Sequence, residues 1–159
     1  MNELPYRPNV CMLIYNPEYR LFLGERYGEA GIWQFPQGGA EAELSLEENV
    51  KKEIKEELGL TDDKFRIVKK LNATNRYDWE NPPEYARGKW RGQDQTFWLV
   101  EFSGADSDIN VATESPEFMN WRWATLQEVR ELAEPRRLKG YLKALNEYQL
   151  YVNSQKLKN

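Results

Sequence analysis

Between residues 38 and 60 the chain reads Gly38-Gly39-Ala40-Glu41-Ala42-Glu43-Leu44-Ser45-Leu46-Glu47-Glu48-Asn49-Val50-Lys51-Lys52-Glu53-Ile54-Lys55-Glu56-Glu57-Leu58-Gly59-Leu60. A glycine pair, a helix start and a run of glutamates follow one another closely. Ser45 with Glu48 three residues on is a capping-box pairing, and Gly59 is a C-terminal cap, so the spacing predicts a helix between them. With Leu46 at zero and about 100° per residue, Val50, Ile54 and Leu58 fall at about 40°, 80° and 120° and mark the buried stripe. Glu57 falls inside it at about 20°, Glu53 at its edge at about −20°, and Glu56 outside at about −80°. Glu53 with Glu57 and Glu53 with Glu56 are like-charge neighbours that each cost ~0.2–0.5 kcal/mol on an exposed helix. Partial burial raises that cost. A solvated charged face accounts for Glu47 and Glu48, and Lys52 pairs at i,i+4 with Glu48 and Glu56. It provides no cation for Glu53 or Glu57, whereas a divalent ion with oxygen ligands does. Just upstream, Gly38-Gly39 leaves backbone groups approachable near the helix start, where amides and the positive dipole end meet phosphate.

Composition narrows the chemistry. The 159 residues include no histidine, which removes serine–histidine and cysteine–histidine nucleophile systems and the commonest transition-metal ligand. One cysteine and no histidine disfavour zinc, while carboxylates favour magnesium, with manganese as the alternative. Cys11 sits in the apolar run Val10 to Tyr15 and reads as a buried strand thiol. With 40% apolar and 30% charged residues, the composition is that of a soluble protein, and the length suits a single domain over residues 1–159. No apolar run approaches the ~20 residues of a membrane span. Met1 to Asn9 has no apolar core of a signal peptide, so a cytoplasmic location is expected. From Pro135 onward six basic residues face Glu147 alone, so that segment carries +5 and the rest −9 of the net −4. Such a segment suits an anionic ligand or a solvated helix face. The overall negative charge argues against strong sequence-independent RNA affinity; no DNA partner is expected.

Along the chain, Val10 to Tyr15 and Leu21 to Leu23 read as strands around the Asn16-Pro17 turn, and Ile32 to Phe35 as a short third extended piece. Pro36-Gln37-Gly38-Gly39 predicts a break in regular structure. Phe65 to Leu71, Thr96 to Phe102 and Met119 to Trp123 read as strands, the second nearly all apolar and therefore central. Between them, Asp78 to Asp94 is a long polar and aromatic insertion, of the kind that forms binding loops. Thr125 to Leu132 reads as a short helix. Arg137 to Tyr151 reads as a longer one with Leu138, Tyr141, Leu142, Leu145 and Tyr148 on its inner side. Strands first, one helix in the middle and helices at the end imply an α/β fold with a sheet between helices.

The segment from Gly38 to Leu60 resembles the signature box of the Nudix hydrolases: glycine, five residues, glutamate, seven residues, then Arg-Glu-apolar-x-Glu-Glu-x-Gly-apolar. Counted from Gly38, the chain matches at Glu53, Ile54, Glu56, Glu57, Gly59 and Leu60, and departs at Leu44 and Lys52. Similarity to the RNA pyrophosphohydrolase and dinucleoside-polyphosphate hydrolase branch extends through Leu4 to Val10, Trp33 to Gly39, Tyr77-Asp78, Arg91 to Gln95, Pro116 to Phe118 and Trp121 to Trp123. The resemblance implies a Nudix-type α/β/α sandwich with a mixed β-sheet. It also implies a magnesium-dependent (or manganese-dependent) attack on a phosphoanhydride bond, in the 5′ end of an RNA or in a dinucleoside polyphosphate. By position, Glu53, Glu56 and Glu57 are its metal ligands, with the Gly38 carbonyl as a further one. Glu117 matches a position that adds a ligand or helps deprotonate water. Arg7, Arg26, Gln37 and Gly39 match substrate-contacting positions, and Arg136 or Arg137 takes the place of a basic residue at the substrate mouth. Tyr77 stacks a base or packs in the core. Lys52 is a point charge where arginine offers a planar fork, and with Leu44 the loop carboxylate is lost together with that partner, so Glu43 is the expected substitute. These departures predict altered catalysis, and they motivate an alternative: a non-catalytic nucleotide- or RNA-binding module on the same fold.

Overall fold

In the computed structural model, which describes residues 3–158, the apolar run from Val10 organises everything around it. Strand β1 (Tyr6–Tyr15) alternates its side chains between two faces. Cys11, Leu13 and Tyr15 enter one buried cluster with Phe97, Leu99, Tyr141, Leu145 and Tyr148. Val10, Met12 and Ile14 enter the other with Val50, Ile54, Leu58, Trp98 and Val100. A strand apolar on both faces needs a layer on each side. Helix α1 (Leu46–Leu58) covers one face, and α2 (Leu126–Leu132) with α3 (Pro135–Leu157) covers the other. The expected α/β/α sandwich is therefore present.

Seven strands form the sheet: β1, β2 (Leu21–Arg26), β3 (Trp33–Gln34), β4 (Gln37–Gly39), β5 (Phe65–Asp78), β6 (Gly92–Phe102) and β7 (Phe118–Ala124). Their order is β3-β2-β1-β6-β5, with β4 on β1 and β7 on β2. β1 and β6 are parallel from Tyr6↔Gly92 to Tyr15↔Glu101, and every other named pair is antiparallel, so the sheet is mixed. No described helix is long and apolar enough to cross a membrane. Residues 1, 2 and 159, the ends of the expected span, lie outside the described residues.

Several sequence expectations change here. Gln37–Gly39 is a strand, not a break: it pairs with β1 through Asn9↔Gly39, Val10↔Gly38 and Cys11↔Gln37. The amides of β1 need partners, and glycines impose no bulk on that pairing. β5 runs past Leu71 to Asp78 because β6 supplies its hydrogen bonds whatever the side chains are. The insertion is correspondingly shorter, a hairpin loop over residues 79–91. On α3, Leu142 is 43% exposed while Ala144 and Val152 are buried, so the inner face is rotated from the expected one.

The loop leading into α1 shows how the chain manages without the loop glutamate. Lys52 meets Glu41 at 3.4 Å and Glu56 at 2.9 Å; its acid in the loop is Glu41, not Glu43. Beside it, buried Asn49 accepts from the Glu41 amide at 2.9 Å and donates to the carbonyls of Glu41 and Ser45 at 3.2 and 2.9 Å. Asn49→Leu strands these backbone groups, and a loss of about 1–3 kcal/mol is expected. A lower denaturant midpoint at unchanged slope checks it.

Candidate active site

Helix α1 starts where the sequence places it. The Ser45 side chain accepts from the Glu48 amide, the Glu48 side chain accepts from the Ser45 amide, and Gly59 takes the left-handed cap at φ 66°. Its register turns Glu57 into the protein at 7% exposure, leaves Glu53 half-buried at the edge and puts Glu56 outside, the ranking the helical angles predict.

Strand β4 then brings the glycine pair under two charged groups. A Cβ on Gly38 would lie 2.3 Å from Cδ of Glu53, and one on Gly39 would lie 2.0 Å from an Nη of Arg7. A carboxylate and a guanidinium thus rest directly on the glycines. Glu117 arrives just ahead of β7, whose pairing with β2 sets it beside Arg26, 3.8 Å from Nη1 to Oε1. Arg26 also donates to Gln34 Oε1 at 3.0 Å. From the β5–β6 hairpin come Tyr77, Trp79 and Tyr85, and the Tyr85 ring sits 4.7 Å from the Arg7 guanidinium carbon.

Together these groups line an open cavity of about 430 Å³. Of the residues singled out from sequence, Arg7, Arg26, Gln37, Gly38, Gly39, Glu53, Glu57, Tyr77, Glu117 and Arg137 all border it. Of the two neighbouring arginines, Arg137, in the first turn of α3, borders the cavity and Arg136 does not. Glu56 does not border it either; its carboxylate is held by Lys52. Trp79, Tyr85 and Gln93 border the cavity but carried no individual signal in the sequence beyond the aromatic density of the insertion. Cys11, on β1, is buried, and burial pushes its thiol up, away from nucleophilic use.

The electrostatics are set by burial. Burial first, then the negative charges of Glu53 and Glu117, pushes the Glu57 carboxyl well above the usual carboxylate range. Burial also raises Glu53, although the hydrogen bond from Glu57 and the charge of Lys52 pull it back. Without a cation, both effects favour a proton held by Glu57 rather than Glu53. Glu57 Oε2 remains buried with no hydrogen-bond partner. An all-carboxylate donor set with an orphaned buried oxygen fits a hard divalent cation. Among the described residues no three acidic side chains yet close around one point.

The sign of the resulting linkage is definite. Glu57 binds its proton more tightly folded than unfolded, so its stabilising contribution is complete below the ordinary carboxylate range and is lost as pH rises through the folded value. A divalent ion replaces that proton. Magnesium is therefore expected to raise the melting temperature more at neutral pH than in mild acid, and to release protons on binding near neutrality. Calorimetry in buffers of different ionisation enthalpy checks the release.

Residues 5–145 match the NUDIX domain family. The chain belongs to the Nudix family. This Nudix hydrolase is 34% identical to the RNA pyrophosphohydrolase of Roseobacter denitrificans over 153 residues, covering 94% of this chain and 96% of that protein. It is 35% identical to the RNA pyrophosphohydrolase of Rickettsia rickettsii over 153 residues, covering 94% of each. Among solved structures, a binary complex of the C. elegans Ap4A hydrolase superposes with a TM-score of 0.66 at 19% identity, over 92% of this chain and 98% of that one. The MutT protein of Methanosarcina mazei superposes at 0.63 and 18% identity, over 98% and 99%. At those identities the structures share its fold. Nudix enzymes typically work with a divalent metal, in keeping with the carboxylates gathered here.

Proposed function

We propose that this Nudix hydrolase removes phosphates from the 5′ end of RNA, leaving a 5′-monophosphate. The observation that carries the reading is the joint lining of one cavity: Glu53, Glu57 and Glu117 are acidic, Arg7, Arg26 and Arg137 are basic, and all six border the same space. A polyphosphate held both through a cation on the carboxylates and by guanidinium groups is the ligand that such a lining suits. The RNA end is favoured because the relatives that match at 34–35% are named RNA pyrophosphohydrolases.

Glu53 and Glu57, with the Gly38 carbonyl, would hold a magnesium or manganese ion, joined by Glu56 once it leaves Lys52. When bound, that ion supplies a Lewis acid for phosphate oxygens and lowers the pKa of a water. Arg7 and Arg137 bind the remaining phosphate charge, and Arg26 neutralises charge beside Glu117. Glu117 takes the proton of the attacking water as the new O–P bond forms, and the anhydride P–O electron pair leaves with the departing phosphate. Trp79 and Tyr85, whose rings meet edge to face, pack against the terminal nucleoside.

The test is a comparison of 5′-triphosphorylated RNA with diadenosine tetraphosphate under magnesium, with products identified. Faster release of phosphate or pyrophosphate from RNA is expected. Preference for the dinucleotide overturns the substrate. Tight binding of both without turnover overturns catalysis and leaves a binding module.

A further inference from the structure

A chain of buried amides runs under the cavity on the α3 side of the sheet. Asn9, Gln95 and Asn75 lie level with one another on three adjacent strands. Asn9 is 1% exposed, and both of its side-chain N–H groups and its carbonyl oxygen have partners. Nδ2 donates to Gln37 Oε1 at 2.6 Å and to Gln93 Oε1 at 3.0 Å, while Oδ1 accepts from Gln95 Nε2 at 3.0 Å. Asn75 Nδ2 donates in turn to Gln95 Oε1 at 3.0 Å. Gln93 passes the direction on: with its oxygen taken by Asn9, its Nε2 donates to the Tyr77 hydroxyl oxygen at 2.5 Å.

An amide accepts at one end and donates at the other, so turning one end sets both. With Gln37 Oε1 turned to Asn9, its N–H groups are left for another partner. With Gln93 giving a proton to the Tyr77 oxygen, the phenolic proton is likewise left to be given away. Gln37 and Tyr77 both border the cavity. We infer that Asn9 is a positioning residue that orients Gln37 and Tyr77 as hydrogen-bond donors toward the bound polyphosphate. This extends the donor side of the cavity beyond its arginines and rests on the reading of the ligand as a phosphoanhydride. Phosphate oxygens only accept, so such a wall binds them and disfavours ligand groups that donate.

Asn9→Asp tests the inference by reversing the polarity at nearly constant shape. An ionised aspartate only accepts, and three amides surround it: Gln37 and Gln93 turn over, and Tyr77 gives its proton to Gln93. The probe is inorganic triphosphate, bound by the full chain in magnesium buffer and followed by calorimetry, with melting temperature as the check on folding. Asn9→Asp is expected to weaken binding on the order of tenfold, the scale of lost hydrogen bonds to a charged group. In a Gln37→Met, Tyr77→Phe background, where both donors are gone, the same change is expected to cost less than about twofold. An equal loss in both backgrounds marks a charge effect and overturns the inference, as does no loss or no triphosphate binding by the wild type. Should Asn9→Asp fail to fold, Gln93→Glu keeps the Asn9 bond and turns only Tyr77. It is expected to weaken binding several-fold, with the loss disappearing in Tyr77→Phe; a persistent loss overturns the inference equally. Wild-type protein that binds triphosphate yet leaves 5′-triphosphorylated RNA intact defeats the proposed substrate and leaves the donor wall standing.

Discussion

Glu57→Gln is expected to lower kcat on the order of a thousandfold while leaving the metal-free protein at least as stable as wild type at neutral pH. The rate falls because a neutral amide cannot replace a carboxylate as ligand for the cation that offsets charge in the transition state, a contribution of several kcal/mol. Stability holds for a separate reason. In the metal-free protein the Glu57 carboxyl is raised by burial and by Glu53 and Glu117, so ionising it as pH rises works against the fold. Glutamine does not ionise. Thermal melts without metal should therefore show wild type losing stability between mild acid and neutrality while the variant stays flatter, and magnesium should lift the variant less. Steady-state rates close to wild type would remove Glu57 from the machinery. A variant that unfolds would show instead that the carboxylate supports the core.

Gly38→Ala should separate geometry from folding. Gly38 is not among the glycines with positive φ, so alanine fits its backbone and the β4–β1 pairing can persist. The added methyl would nevertheless lie 2.3 Å from Cδ of Glu53 and within 2.6 Å of both of its oxygens. Carboxylates at the end of a glutamate chain move more easily than sheet backbone, so Glu53 swings away. A displacement of about 1 Å at a reacting site costs on the order of a hundredfold in rate. The expected outcome is kcat lower by about that factor, a melting temperature near wild type without metal, and a weaker melting response to magnesium. Unchanged kcat and metal response would mean that Glu53 does not need its seat over Gly38.

Much of this site is written locally, in α1. Ser45, Glu48 and Gly59 set the ends of the helix, and a period of 3.6 residues then determines which of Glu53, Glu56 and Glu57 faces inward. That is why the angles read from sequence ranked the three glutamates correctly, and the apolar run from Thr96 to Phe102 was likewise legible as an interior strand. Chemistry that composition excludes, from histidine bases to cysteine nucleophiles, was equally legible.

Contacts between distant strands are a different matter. Nothing near Gln37 in sequence says that the amides of β1 lack partners on that edge, so β4 emerges only when the sheet is assembled. Glu41 rather than Glu43 meets Lys52 because Asn49 holds the loop in one particular curve, and Arg137 rather than Arg136 reaches the cavity because of how α3 packs on β5. Trp79, Tyr85 and the Asn9–Gln93–Tyr77 chain depend on pairing partners as many as 84 residues apart. Helical periodicity is carried by neighbours in the chain, so residue order alone determined how the α1 glutamates face this site, whereas Glu117 reaches it through the pairing of β7 with β2. Strand pairing is carried by hydrogen bonds whose partner no single segment specifies, and so the donor half was decided only by the folded sheet.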